Sequence, residues 1–212
     1  MNDKFYELPP EKQQRILNAA MEVFGLNEYK RASTDLIAVK AGVSKGLLFY
    51  YFYNKKELYL FLFHYVADIM RKQIVNQKFQ KITDFYELLA YSAVEKAKIL
   101  EKNPYILEFA VKAFYSDKED VSEDLKKMTT DQIKNVYAEY FAHLDLSKFK
   151  EDANPMYVYK MLVWMADGYM HDMKMNGKPV ETDVLMKEFN TWMRMLKKLT
   201  YKEEYQDENH RD

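Results

Sequence analysis

Apolar residues recur along this chain at steps of three and four, the spacing that gathers side chains on one face of an α-helix. Ile16, Leu17, Ala20 and Phe24 form the first such stripe, in a helix expected to open at Pro9 or Pro10, where a missing amide costs nothing, and to stop at Gly25. A second helix is predicted from a Ser33 or Thr34 cap to Ala41, with Asp35 in its first turn and Gly42 ending it. Ser44 caps a third over Lys45 to about Phe52, and Val43 plugs the joint between the two. A fourth begins at Lys55 or Lys56 and carries Leu58, Phe61, Leu62, Tyr65 and Ile69.

Beyond it the pattern predicts helices over Thr83 to Glu101, from an Asn103-Pro104 start to Tyr115, and over Glu123 to His143. Asn154-Pro155 starts another that stops near Asn176-Gly177, and Thr182 caps a last one to about Tyr201. The expected fold is all-α, about nine helices: a three-helix head over 1–54, a helical body over 55–202 for ligand binding and dimerisation, and a polar tail over 203–212 that frays. With 5 Gly and 5 Pro in 212 residues the composition favours helices over a turn-rich sheet protein.

The chemistry available narrows the function. There is no Cys, which excludes disulfides, thiolate catalysis and Cys-ligated zinc and fits a reducing, cytoplasmic setting. No signal peptide is expected in MNDKFYELPPEKQQ, and the longest apolar stretch, Tyr59 to Ala67, is interrupted by His64 and too short to cross a bilayer, so no membrane partner is expected. Gly-rich phosphate loops and nucleophile elbows are absent from the sequence, so neither an enzyme nor a cofactor is expected.

Charge is where the sequence becomes specific. The whole chain carries −1, yet between residues 30 and 56 Lys30, Arg31, Lys40, Lys45, Lys55 and Lys56 face Asp35 alone, a local +5. Two short helices joined by a Gly turn and surrounded by cations are the arrangement that lays a second helix in a DNA major groove.

The blocks ILNAAMEVF, TDLIAVKAGVS and KGLLFYYFYNKKEL, at these spacings over about residues 11 to 60, resemble the TetR (tetracycline-repressor-like) transcriptional regulators of bacteria. That resemblance implies a homodimer on a double-stranded operator, usually a repressor, released when a small molecule in the C-terminal domain separates the two heads. It also implies DNA contacts from Thr34, Ser44, Lys45, Gly46, Leu47, Phe49, Tyr50, Tyr51 and Lys55, with Leu48 and Phe52 as buried anchors. Lys45, Lys55 and Tyr51 suit phosphate, Gly46 permits close backbone approach, and Tyr50 suits base edges. The chain departs from the family where Leu47 replaces a small polar residue and Phe49 a Tyr. In the groove these two would read thymine methyls; the alternative is that they pack into the head's own core.

In the body, Tyr86, Tyr105, Phe109, Phe114, Tyr137, Phe141, Met161, Trp164 and Met165 sit at helical spacings, the ordinary signature of core and also the material of a pocket for a mainly apolar effector. Gly168, Tyr169, Phe189, Trp192, Met193 and Leu196 give the last two helices apolar width for two-fold pairing, which would set two recognition helices roughly 34 to 36 Å apart on a palindrome. Asp167 with His171, and Glu139 with His143, have the four-residue spacing of paired metal ligands, but hydrogen bonding is the commoner use, and no metal site is expected. Control by a protein partner or a metal is the alternative to an organic effector.

Overall fold

The computed structural model describes residues 3–114, 120–128 and 141–206. The named helices are α1 (Pro10–Leu26), α2 (Thr34–Ala41), α3 (Lys45–Phe52), α4 (Lys55–Ile74), α5 (Phe85–Lys102), α6 (Pro104–Phe114), a helical segment α7 over 122–128, α8 (Pro155–Met175) and α9 (Thr182–Thr200). Short 3-10 turns occupy Asp3–Phe5, Tyr29–Arg31, Phe79–Lys81 and Glu203–Tyr205. The fold is all-helical, with no strand among the described residues. Residues 129–140, within the helix expected to reach His143, lie outside the described residues, as does the tail beyond Gln206.

Packing separates the chain into two units, Met1–Gln73 with Ile99–Tyr137 and Ile74–Lys98 with Ala138–Asp212. In the first unit α1 is the central element, flanked by α2 and α6. Its inner face buries Ile16, Leu17, Ala20, Met21, Val23 and Phe24. The Phe24 ring meets Tyr59 of α4 edge-on at 4.8 Å, and Phe109 of α6 meets Tyr59 at 5.0 Å.

Gly25 does not stop α1. The helix continues to Leu26, and Asn27 closes it by donating from Nδ2 to the Val23 carbonyl at 2.8 Å. A Cβ on Gly25 would meet Glu108 Cβ and the Phe109 backbone nitrogen at 3.1 Å, so this glycine sits where α6 passes closest to α1. Its lack of side chain serves packing, not termination. Lys30–Asp120 at 3.7 Å, Lys56–Asp124 at 2.7 Å and Lys112–Glu28 at 3.1 Å edge the unit, and exposed pairs of this kind, screened by water, contribute little to its stability.

The second unit closes around a buried carboxylate. Phe85, Tyr86, Leu89, Phe149, Val158, Leu162, Met193, Leu196 and Tyr201 form its core. At its margin Asp84 caps α5, accepting from the Glu87 amide at 3.0 Å, where sequence pointed to Thr83 as the start. The other Asp84 oxygen accepts from Lys148 Nζ at 2.7 Å and from the Tyr201 hydroxyl at 3.2 Å. The chain after α9 is thereby held against the 145–150 loop, where Phe149 and Tyr201 form an antiparallel bridge and the Lys150 and Lys202 amides donate to Thr200 and Lys148. Beside them the Tyr86 hydroxyl bonds Thr200 Oγ1 at 2.8 Å, and burial pushes its pKa up to about 12.

At α9 the cap differs from expectation, and at α6 Asn103 keeps its expected place immediately before Pro104 although its side chain turns elsewhere. Glu181, not Thr182, is the N-cap of α9 and supplies no side-chain bond there, while Asn103 turns its Nδ2 back to the Ile99 carbonyl and closes α5. Asn154 caps α8 as expected, accepting from the Tyr157 amide at 3.2 Å, and Gly177 takes the left-handed conformation just beyond it.

Burial opposes the charge on Asp84, but Lys148, the Glu87 amide and the Tyr201 hydroxyl outweigh it and hold its pKa below the ordinary carboxylate value. Its contribution to stability is therefore present above the unfolded pKa, near 3.9, and lost as pH falls through the lower folded one. Asp84→Asn keeps the helix cap and removes the ion pair. Urea unfolding at pH 7 is expected to show a loss of about 3 kcal/mol, and the gap to the native chain is expected to narrow below about pH 4.

Candidate nucleic-acid interface

The two helices that carry the cations are each started by a serine. Ser33 Oγ accepts from the Leu36 amide at 3.2 Å and Ser44 Oγ from the Leu47 amide at 3.1 Å. Between them Gly42 adopts φ 64°, ψ 39°, a left-handed conformation that L side chains rarely take, and its amide donates to the Ala38 and Val39 carbonyls. The Val43 amide reaches back to Ala38 at 3.0 Å, so the end of α2 is closed by the paired bonds of a Schellman turn. Arg15 of α1 donates from Nε to the Ala41 carbonyl at 2.7 Å, a clamp on the same end that no periodicity argument revealed.

The opposite end is tied electrostatically. Lys45 Nζ lies 2.8 Å from Asp35, joining the first turn of α3 to the first turn of α2. Lys55, at the start of α4, donates to the Lys30 carbonyl at 3.1 Å and lies 4.7 Å over the Tyr29 ring. Lys45 and Lys55 are thus held at surface positions by contacts that phosphate oxygens could replace.

α3 divides into two faces. Leu48, Tyr51 and Phe52 are buried in the head, Ser44, Lys45, Gly46 and Tyr50 are exposed, and Thr34, Leu47, Phe49 and Lys55 are half-buried. Leu47 packs against the head core while keeping part of its surface. The Tyr51 side chain is buried, 6% exposed and lodged against Phe5 and Phe52, so the structure does not present it as the other expected contact residues of α3 are presented.

Sequence reasoning missed the segment that completes this face. Phe5, in the first 3-10 turn, is buried against Phe52 at 4.9 Å and against Phe61 at 5.8 Å. Its anchoring keeps Lys4 and the exposed Tyr6 close to α3. The signal available was the apolar pair Phe5-Tyr6 in an otherwise polar leader. Tyr53 was also missed: it has φ 63°, ψ −52°, and the Asn54 amide donates to the Phe52 carbonyl at 2.7 Å across it. This is a tight, strained γ-turn between α3 and α4, and Asn54 Oδ1 then caps α4 through the Glu57 amide.

The other predicted residues separate. Tyr105 and Phe109 belong to the first unit: Phe109 is buried on α1 and α4, and the Tyr105 hydroxyl is raised in pKa by the charge of Glu22. Tyr86 and Phe141 belong to the second, where Phe141 packs on Phe85 and Tyr159. Met165 is half-buried, while Met161 and Trp164 stand exposed on α8. Tyr137 and the side chain of Phe114 lie outside the described residues.

Of the residues expected at a dimer surface, Met193 and Leu196 are buried in the second unit's own core. Tyr169, Trp192 and Phe189 form a chain of edge-on rings, half-buried, and Gly168 has nothing near its Cβ position. His143 bonds the Phe79 carbonyl through Nε2 at 3.2 Å and packs on that ring; its expected partner Glu139 lies outside the described residues. Among the described residues no three metal-ligating acids or histidines gather. No described helix is long and apolar enough to cross a membrane.

Comparison with known proteins agrees with this geometry. Residues 16–61 match the sequence model of the bacterial regulatory proteins, tetR family. Over 91 residues the chain is 31% identical to the fatty acid metabolism regulator protein of Bacillus subtilis (strain 168), covering 43% of this chain and 39% of that one. The matched stretch thus spans well under two thirds of that relative's length. The fold is shared with the crystal structure of FadR from Bacillus subtilis in complex with stearoyl-CoA (TM-score 0.61, 17% identity, 86% of this chain and 96% of that). It is shared also with the SmeT–triclosan complex (TM-score 0.68, 16% identity, 95% and 100%), SmeT being the repressor of a Stenotrophomonas maltophilia multidrug efflux pump.

Gly46 separates folding from recognition. It is exposed, and a Cβ there would meet nothing nearer than Ser44 Oγ at 4.0 Å, so the head itself does not require a glycine. Gly46→Ala is expected to raise stability by up to about 1 kcal/mol through helix propensity while weakening DNA binding, as the methyl holds the backbone away from the duplex. Thermal melts alongside gel-shift titrations check both halves; unaltered DNA affinity would sink the close-approach role.

Proposed function

Because the chain belongs to the tetR family of bacterial regulatory proteins, whose members are transcriptional regulators and not enzymes, we propose that it is an operator-binding repressor released by a small molecule. The observation that carries this reading is the serine-capped α2–turn–α3 unit, clamped by Arg15 and presenting Lys45, Gly46 and Tyr50 outward. α3 enters the major groove with its first turn toward base edges, and the α2 and α4 starts, with Thr34 and Lys55, hold phosphates on either side. Residues 1–54 form the DNA-reading part and 55–202 the effector and dimerisation part of a cytoplasmic protein.

Dimerisation in this reading uses α8 and α9. In the single chain Tyr157, Met161 and Trp164 project from α8 at steps of four and three, and Met195 and Leu199 from α9 at a step of four, all of them exposed. A second copy would cover them in a four-helix arrangement and give the palindromic readout of two-fold heads. The effector is mainly apolar, in keeping with relatives bound to stearoyl-CoA and triclosan.

Sedimentation equilibrium at micromolar concentration is expected to give a dimer, and Trp164→Glu a monomer with much weakened operator binding. Selection of bound sequences from a random DNA pool is expected to return inverted half-sites about one duplex turn apart. Asymmetric or single half-sites would contradict the two-fold reading, and a thermal-shift library with no stabilising compound would contradict the effector.

A further inference from the structure

The chain just before α1 is not a loose arm. Asp3–Phe5 form a 3-10 turn, closed by the Tyr6 amide on the Asp3 carbonyl at 2.9 Å and by the Leu8 amide on the Phe5 carbonyl at 3.2 Å. Phe5 is 1% exposed, set among the rings of Tyr51, Phe52 and Phe61. From α1, Gln13 donates through Nε2 to the Tyr6 carbonyl at 3.2 Å and to the Leu8 carbonyl at 2.8 Å. An aromatic plug on one side and an amide clamp on the other fix the turn against α3.

Lys4 is the residue that this fixing presents. Its side chain is exposed, and its Nζ holds the Glu7 carboxylate at 2.9 Å. The hydrogen bond to Glu7 and the charge of Glu7 raise the pKa of the ammonium, and the nearby Tyr50 hydroxyl acts in the same direction. Tyr50 is one of the outward residues of α3 on which the operator reading rests, so the ammonium stands on that same outward face. The turn is held by its backbone bonds, by Gln13 and by Phe5, and an exposed ion pair three residues apart adds little to it. Lys4 with Glu7 at 2.9 Å repeats, on a separate element, the arrangement of Lys45 with Asp35 at 2.8 Å: a cation beside α3 whose partner is an exposed carboxylate.

We propose that the Asp3–Phe5 turn is a further DNA-binding element, in which Lys4 leaves Glu7 for a backbone phosphate next to the position of Tyr50, and Glu7 is the internal anion that competes with the duplex for that ammonium. The assignment rests on the operator reading above and adds a contact that the α2–turn–α3 unit does not itself supply. A phosphate carries no sequence information, so the turn sets affinity and register, not base preference. Exchanging one exposed oxygen partner for another costs little, and release of the counterions condensed on the duplex drives the exchange. Glu7 opposes it twice, by holding Lys4 and by repelling the phosphates.

The test measures binding of the full chain, by fluorescence anisotropy, to a labelled duplex of mixed sequence about three helical turns long, at salt concentrations from about 50 to 200 mM. Lys4→Gln is expected to bind more weakly than the native chain with an unchanged melting temperature. Its slope of log affinity against log salt is expected to be shallower by about 0.9 for each head on the duplex, so that the native chain's advantage shrinks by about 3-fold per head between those limits. Lys4→Arg is expected to keep the native slope, as is Lys178→Gln, the same charge change at an exposed position of the second unit. Glu7→Gln is expected to act in the opposite sense and tighten binding, whereas a pair that only braced the turn would make both substitutions weaken it. A Lys4→Gln variant with the native slope, or a Glu7→Gln variant that binds more weakly, overturns the assignment and leaves the operator reading standing. A native chain that binds no duplex anywhere in the salt range overturns the operator reading and this assignment with it.

Discussion

The packing of α6 onto α1 at Gly25 is the constraint on which the first unit depends. A single missing side chain lets Glu108 and the Phe109 backbone come within 3.1 Å of where a Cβ would lie, and that approach brings the Phe109 ring under Phe24 and Tyr59. A helix from the middle of the chain is thereby built into the same core as α2 and α3. Close-packed interiors transmit displacement instead of absorbing it, so a movement of α6 has a direct mechanical route to α1 and, through Arg15, to the end of α2.

α1 then organises the helix-turn-helix face. Its inner stripe supports α2 and α4, its Arg15 closes α2, and the Gly42 turn fixes the direction in which α3 leaves. The surface cations are positioned last, by contacts such as Lys45 to Asp35 that are weak in water and exchangeable for phosphate. Rigid parts lie beneath and exchangeable parts on top, an order that suits a surface selecting a sequence without refolding. The second unit applies the same economy differently. One carboxylate, Asp84, starts α5 and also pins Lys148 and Tyr201, so three stretches far apart in sequence share one buried charge.

The likeness to FadR and SmeT structures at under 20% identity shows how little of the body's sequence the fold needs. A helical body must keep its buried stripes, while the residues that face an interior space are free to change with the ligand.

The sequence by itself determined the helices and the head. Periodic apolar residues, Ser33 and Ser44 as caps, Gly42 as the turn and Asn154-Pro155 as a helix start are local signals, each complete within a few residues, and the structure has them where local physics puts them. Its errors were also local in origin. Gly25 has the composition of a helix stop, and only a neighbour distant in sequence, α6, decides otherwise, while Asp84 in place of Thr83 at the start of α5 and Glu181 in place of Thr182 at the start of α9 are shifts of one residue. The burial of Tyr51 under Phe5, the clamp from Arg15 and the separation of Tyr105 and Phe109 from Tyr86 and Phe141 were likewise decided by tertiary structure alone. Aromatic and methionine residues at helical spacing look alike whether they fill a core, cover a partner or line a cavity, because periodicity reports which residues share a face and says nothing of what that face meets.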